Sequence, residues 1–137
     1  AEQQLANLAI SRLLIDEGPN PLELNVDLGA TEPADDERYI QEVRLTLPAD
    51  RLLLVDEGEN RVGTLSVAVV ASDHEGNTMP PRILQLKITL PSDRLTSESV
   101  AMARLRLMME KDTKDVAVAV RDQSSGTEAS VLVASRS

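Results

Sequence analysis

Apolar and polar residues alternate with period two over much of this chain, the pattern of strands that bury one face. The clearest stretch is Asp115–Val133 (DVAVAVRDQSSGTEASVLV), where Val116, Val118 and Val120 alternate with the small Ala117 and Ala119. This predicts a strand with one bulky face and one thin face. Asp122-Gln-Ser-Ser-Gly126 follows, combining a side chain that can bond its own backbone with a residue free to take positive φ. Ala129–Ala134 then resumes the alternation, so the whole stretch reads as a β-hairpin.

From the N-terminus, Ala1–Leu14 holds good helix formers with Leu5, Leu8 and Arg12 or Leu13 at helical spacing. Ala9–Ile15 also suits a strand, but a short helix is predicted. Asp16-Glu-Gly-Pro-Asn-Pro21 breaks it, and Leu22, Leu24, Val26 and Leu28 alternate with Glu23, Asn25 and Asp27 in a half-buried strand. Gly29–Arg38 reads as an acidic loop. Tyr39–Leu47 alternates again, with Val43, Leu45 and Leu47 on one face, until Pro48 removes a ladder donor. Leu52–Val55 is a compact apolar run, Asp56–Asn60 a turn, and Val62–Ala71 a strand with Leu65, Val67 and Val69 on one face. Asp73-His-Glu-Gly-Asn77 closes it. Pro80-Pro81 enforces extended backbone before Leu84, Leu86, Ile88 and Leu90 alternate up to Pro91.

Ser99–Lys111 fits two patterns. Val100, Met102, Ala103, Leu105 and Met109 can populate a helix, whereas Arg104-Leu-Arg-Leu107 alternates strictly. A strand is predicted, paired with Val116–Arg121 through the polar turn Lys111–Lys114.

Val43–Leu52 (VRLTLPADRL) and Leu86–Leu95 (LKITLPSDRL) share Thr-Leu-Pro-x-Asp-Arg-Leu. Each copy precedes a Val-Ala-Val strand ending in Asp and a glycine turn, Val67–Gly76 and Val116–Gly126. Two similar strand-turn-strand halves are one way to build two facing sheets. The expectation is an all-β, immunoglobulin-like antiparallel β-sandwich of about seven to nine strands over residues 19–137, after an N-terminal helix or linker at 1–18. The Cys…Trp…Cys signature of true immunoglobulin domains is absent.

Composition narrows the function classes. At 137 residues the chain fits one core, and apolar residues make up 42 %, yet Tyr39 is its only aromatic. Sugar-stacking platforms, methyl-lysine cages and base-stacking surfaces all require aromatic faces. A net charge of −9 with scattered Lys and Arg repels phosphate backbones and anionic lipid heads, which argues against nucleic acid and membrane partners. With no cysteine, disulfide and thiolate chemistry are excluded, and the compartment stays open. No run approaches the roughly 18 apolar residues that span a bilayer. The missing initiator Met points to a processed chain or, as preferred here, to a piece of a longer one.

The order Asn20-Pro-Leu22, Leu-Thr-Leu-Pro, Val-Ala-Val-Val-Ala-Ser-Asp with Glu-Gly-Asn, Ile-Thr-Leu-Pro and Val-Ala-Val-Ala-Val-Arg-Asp-Gln-Ser-Ser-Gly resembles a segment of one bacterial family. That segment lies C-terminal to the von Willebrand factor A-like domain in the VWFA-related proteins common in Acidobacteria. The resemblance covers roughly Pro19 to Val133 and rests on turns and strands. It implies a periplasmic or extracellular setting, an A-type domain upstream, and no catalytic residue to carry over. Where such segments usually show a Gly-containing turn before the Val-Ala-Val strand, this chain has Lys111-Asp-Thr-Lys114.

The A-domain metal motif needs Asp-x-Ser-x-Ser, in which hydroxyls and a carboxylate hold a hard divalent ion. Asp93-Arg-Leu-Thr-Ser97 has leucine for the first serine, and Asp122-Gln-Ser-Ser-Gly126 has glycine for the second. Acidic turns at Asp35–Glu37, Asp56–Glu59 and Asp73–Glu75 would bind Ca²⁺ only if two met at one end of a sandwich, and none has EF-hand spacing. The single histidine, His74, sits beside Asp73, but adjacent side chains rarely converge on one proton, so a turn histidine is expected. Arg51 and Arg94 occupy matching repeat positions and are expected to pair locally or cap a strand end rather than to contact a partner. Met102, Met108 and Met109 suit an adaptable binding surface, although filling an aromatic-poor core is the preferred reading.

No catalytic, cofactor-binding or metal-ligating residue is therefore assigned. The expected role is a non-catalytic accessory or interaction module of a larger exported VWFA-type protein. Its partner would be the A-type domain of the same chain or another protein, with oligomers open through edge strands. A free-standing adhesion or Ca²⁺-stabilised module is the alternative.

Overall fold

The computed structural model describes residues 2–15 and 18–135. A helix α1 (Glu2–Leu14) precedes strands β1 (Asn25–Pro33), β2 (Arg38–Pro48), β3 (Val55–Glu57), β4 (Asn60–Asp73), β5 (Arg82–Pro91), β6 (Val100–Glu110), β7 (Thr113–Asp122) and β8 (Glu128–Ala134). Single 3₁₀ turns at Ala49–Arg51 and Ser92–Arg94 follow β2 and β5. All pairing is antiparallel, in two sheets, so the predicted all-β sandwich is what the chain forms.

The first sheet has the order β1-β2-β6. In the second, β4 carries β5 along one side; along the other it carries β3 at its start and β7 from Leu65 onward, with β8 outside β7. The two Val-Ala-Val strands lie side by side, with Val67 opposite Val120, Val69 opposite Val118 and Ala71 opposite Val116. Their valines face the first sheet, where Val43, Leu45, Leu47, Leu105 and Leu107 complete the core.

The thin face of the same strands has its own use. Ala68 and Val70 of β4 and Ala117 and Ala119 of β7 form the seat for Leu5 and Ala9 of α1. Small side chains let the helix approach the sheet closely, which converts the Val/Ala alternation into three layers: helix, five-stranded sheet, three-stranded sheet. Arg12 belongs to the same helix face and is only 6 % exposed. Its Nε and Nη2 donate to Ser130 Oγ at 3.0 and 2.8 Å. Gly18 lies over this guanidinium; a Cβ there would stand 2.1 Å from Nη2. Helical spacing of Leu5, Ala9 and Arg12 thus wins over the strand pattern of Ala9–Ile15.

Two expectations are corrected. Gly29–Arg38 is not a loop: β1 continues to Pro33 after a register shift between Leu28 and Thr31, leaving only a short turn before Arg38. The buried Gln41 donates from Nε2 to Gly29 O at 3.0 Å inside this bulge, satisfying the carbonyl that the shift frees. Both faces of the hairpin end are solvated, so no apolar alternation marked it. The second correction concerns β6, which is a strand but does not pair with β7. It pairs with β2 over its whole length, Arg38 opposite Glu110 through to Pro48 opposite Val100. The turn at Lys111 and Asp112 instead carries the chain from one sheet to the other, and the buried Thr113 fixes the crossing by donating from Oγ1 to Glu110 O at 2.7 Å. The β7–β8 hairpin forms as predicted, Asp115 opposite Ala134 to Arg121 opposite Glu128, with Gly126 at φ 76°.

Candidate functional site

Among the described residues β6 pairs with β2 alone, so its other side is an open sheet edge. Two bonds bracket the β2–β6 ladder and fix its phase: Ala49 N to Ser99 O at 2.8 Å and Lys111 N to Glu37 O at 2.9 Å. Residues exchanging bonds alternate along an antiparallel pair. The odd-numbered residues of β6 therefore bond β2, and the N–H and C=O groups of Val100, Met102, Arg104, Arg106 and Met108 point away from it. At Met108 the edge is closed, because Arg82 Nη2 of β5 donates to its carbonyl at 2.7 Å. From Val100 to Arg106 it stays open.

The residues that offer those groups also place their side chains on the outer face. Val100 and Met102 are 49 % and 53 % exposed. Arg106 reaches Glu32 at 2.7 Å, and Arg104 lies 4.0 Å from Glu42, which Arg44 approaches at 3.5 Å. Such exposed pairs are weak, so both β6 arginines remain usable by a partner. Of the other edge strands, β1 carries a bulge, β5 presents the exposed Arg82 and Lys87, β3 is only three residues long, and β8 runs seven residues.

The residues weighed from sequence are dispersed. His74 is exposed in the β4–β5 turn. The Asp73 carboxylate beside it accepts from the backbone N–H groups of Glu75 and Asn77, both at 2.9 Å. The Asn77 amide, then its side chain and the other turn N–H groups, hold Asp73 below the usual carboxylate range. Asp35 is lowered likewise, first by the Glu37 N–H and then by Arg38, whose Nη2 is 2.7 Å away. Asp35 and Asp73 thus spend their carboxylates on their own turns, while Asp56 of the third acidic turn pairs with Arg61 Nε at 3.1 Å. Among the described residues no group of three or more His, Cys, Asp or Glu side chains stands together to hold a metal.

Arg51 pairs with Glu23 at 2.6 Å, while its repeat counterpart Arg94 stands exposed on the second 3₁₀ turn. Of the methionines, Met109 is core, Met108 half-buried, and Met102 points to solvent, against the expectation of core filling for that residue. Asp122 is 1 % exposed and has a structural role: Oδ1 accepts from Ser124 N at 3.1 Å and Oδ2 from Leu53 N at 2.7 Å. It ties the connection after β2 to the end of β7. The sequence signal for this edge was present in Arg104-Leu-Arg-Leu107, but only the pairing of β6 with β2 shows that its outer residues lie on a free edge. No protein-family model matches this chain, and a search of the curated proteins gives no match.

Proposed function

We propose that this domain is a non-catalytic interaction module of a larger exported protein and binds a protein partner by strand addition along Val100–Arg106. The observation that carries the reading is the open β6 edge, where unpaired backbone groups coincide with exposed Val100 and Met102. An added strand exchanges water for ladder hydrogen bonds, each contributing about 0.5–1.5 kcal/mol net, and covers apolar side chains that otherwise face solvent. The resemblance to segments beside A-type domains supplies the context: the first partner to test is an A-type domain of the same parent chain. Titrating ¹⁵N-labelled protein with that domain should shift the Val100–Arg106 amides, and Met102→Lys should abolish the shift. Binding that leaves those amides unmoved would overturn the reading.

A further inference from the structure

We infer that α1 is a detachable layer: it lifts from the five-stranded sheet and recloses as one unit while both sheets stay intact, and the buried Arg12 guanidinium weakens the closed form.

The sandwich closes its core without the helix. Val43, Leu45, Val67 and Val118 belong to an apolar cluster that contains no α1 residue, whereas Leu5 and Ala9 pack with Ala68, Val70, Ala117 and Ala119 in a second one. Alternation keeps the two apart, because neighbouring residues of β4 and β7 face opposite sides of their sheet. Lifting α1 therefore breaks no ladder bond and leaves the inter-sheet core whole. On the C-terminal side the opening stops at Asn20, whose side chain accepts from Leu24 N and donates to Leu24 O, both at 2.9 Å. Leu22 and Leu24 are already buried in the sandwich core.

Closure removes little apolar surface from water. Leu5, Ala6 and Ala9 are the buried apolar side chains of α1; Leu8 and Leu13 are half-buried, and Leu14 is 83 % exposed. A 13-residue helix is marginal in water by itself, so its order depends on this seat. Against that gain stands Arg12. Its described partners are neutral oxygens, Ser130 Oγ at 3.0 and 2.8 Å and Ile15 O at 3.4 Å. Glu128, two residues before Ser130 on β8, pairs with Arg121 instead. A charge taken out of water and met by neutral acceptors costs more than an apolar side chain of similar length in the same place.

Amide hydrogen exchange of the whole chain tests this. Leu8–Leu13 should share one protection factor, at least about a hundredfold below that of Val67–Val70 and Val118–Val120. It should also fall less steeply with urea, because lifting α1 exposes less surface than unfolding does. Ile88→Val, a mild cut in the inter-sheet core, should lower protection in β4 and β7 about fivefold and leave Leu8–Leu13 unchanged. Ser130→Ala, which strands the guanidinium, should lower Leu8–Leu13 protection at least about tenfold. Arg12→Met combined with Ser130→Ala should raise it above that of the parent. A fall at Leu8–Leu13 that matches β4 and β7 in Ile88→Val would mean that α1 opens only with the whole fold, which overturns the inference. A double variant no better protected than the parent would overturn the role given to Arg12.

Discussion

Thr46–Leu52 and Thr89–Leu95 carry nearly the same seven residues and adopt the same local shape, yet they work under different loads. Pro48 (φ −61°, ψ 132°) and Pro91 (φ −63°, ψ 127°) each lead into a 3₁₀ turn, closed by Leu52 N to Ala49 O at 3.2 Å and by Leu95 N to Ser92 O at 3.4 Å. The first copy ends β2, the middle strand of the three-stranded sheet; the second ends β5, an edge of the other sheet. Leu47, Ala49 and Leu52 are buried, whereas Leu90 is half-buried and nothing in the second 3₁₀ turn is buried. Identical local instructions give identical turns, but the neighbouring strands decide how much apolar surface each turn removes from water.

The strongest way to break this comparison is to truncate matched leucines. Leu47→Ala should lose about 3 kcal/mol or more in urea unfolding, and Leu90→Ala about 1 kcal/mol, since a half-exposed site leaves little cavity. Equal losses would mean that sheet position does not set the difference.

A second contrast lies where the two Val-Ala-Val strands end. Asp122→Ala should cost about 1–3 kcal/mol, because Leu53 N and Ser124 N lose the acceptor that the buried Asp122 carboxylate gives them. Asp73→Ala, in a solvated turn, should cost clearly less in the same assay.

Protonation sharpens that contrast. The Asp35 and Asp73 carboxyls are held below their ordinary value in the fold, so the stability they add is fully present above their unfolded pKa. It is lost as pH falls through their folded values. Melting temperature should drop on acidification in that window, and Asp73→Asn should reduce the slope.

Smaller again is the repeat arginine. Arg51→Ala should cost at most about 0.5 kcal/mol for an exposed pair with Glu23, and Arg94→Ala should be indistinguishable from the parent in thermal melts. The smallest expected effect is that of calcium. Melting with Ca²⁺ and then with EDTA should give the same temperature, because the Asp35 and Asp73 carboxylates already serve their own backbones and Asp56 pairs with Arg61. A rise with Ca²⁺ that EDTA reverses would favour the adhesion-module alternative.

Much of this fold is legible along the chain because a strand's period and a turn's chemistry are local. Val116–Val120, Leu84–Leu90 and Tyr39–Leu47 announce themselves by alternation, and Asp73–Asn77 and Asp122–Gly126 by residues that bond their own backbone. The extension of β1 through Thr31–Pro33 was hidden because both its faces are wet, so pairing there carries no apolar mark. The candidate site was half legible: Arg104 and Arg106 read as the outer face of a strand, but an edge is defined by an absent neighbour.

By itself the sequence determined most of the element types, the two turn-forming halves, and the bulky and thin faces of the Val-Ala strands. Tertiary structure alone decided that the thin face receives α1, that the repeat copies lie in opposite sheets, and that β6 joins β2 instead of β7. The physical reason is common to all three. Alternation fixes which side of a strand is apolar within a few residues, whereas the choice of neighbour depends on burying whole faces against segments dozens of residues away.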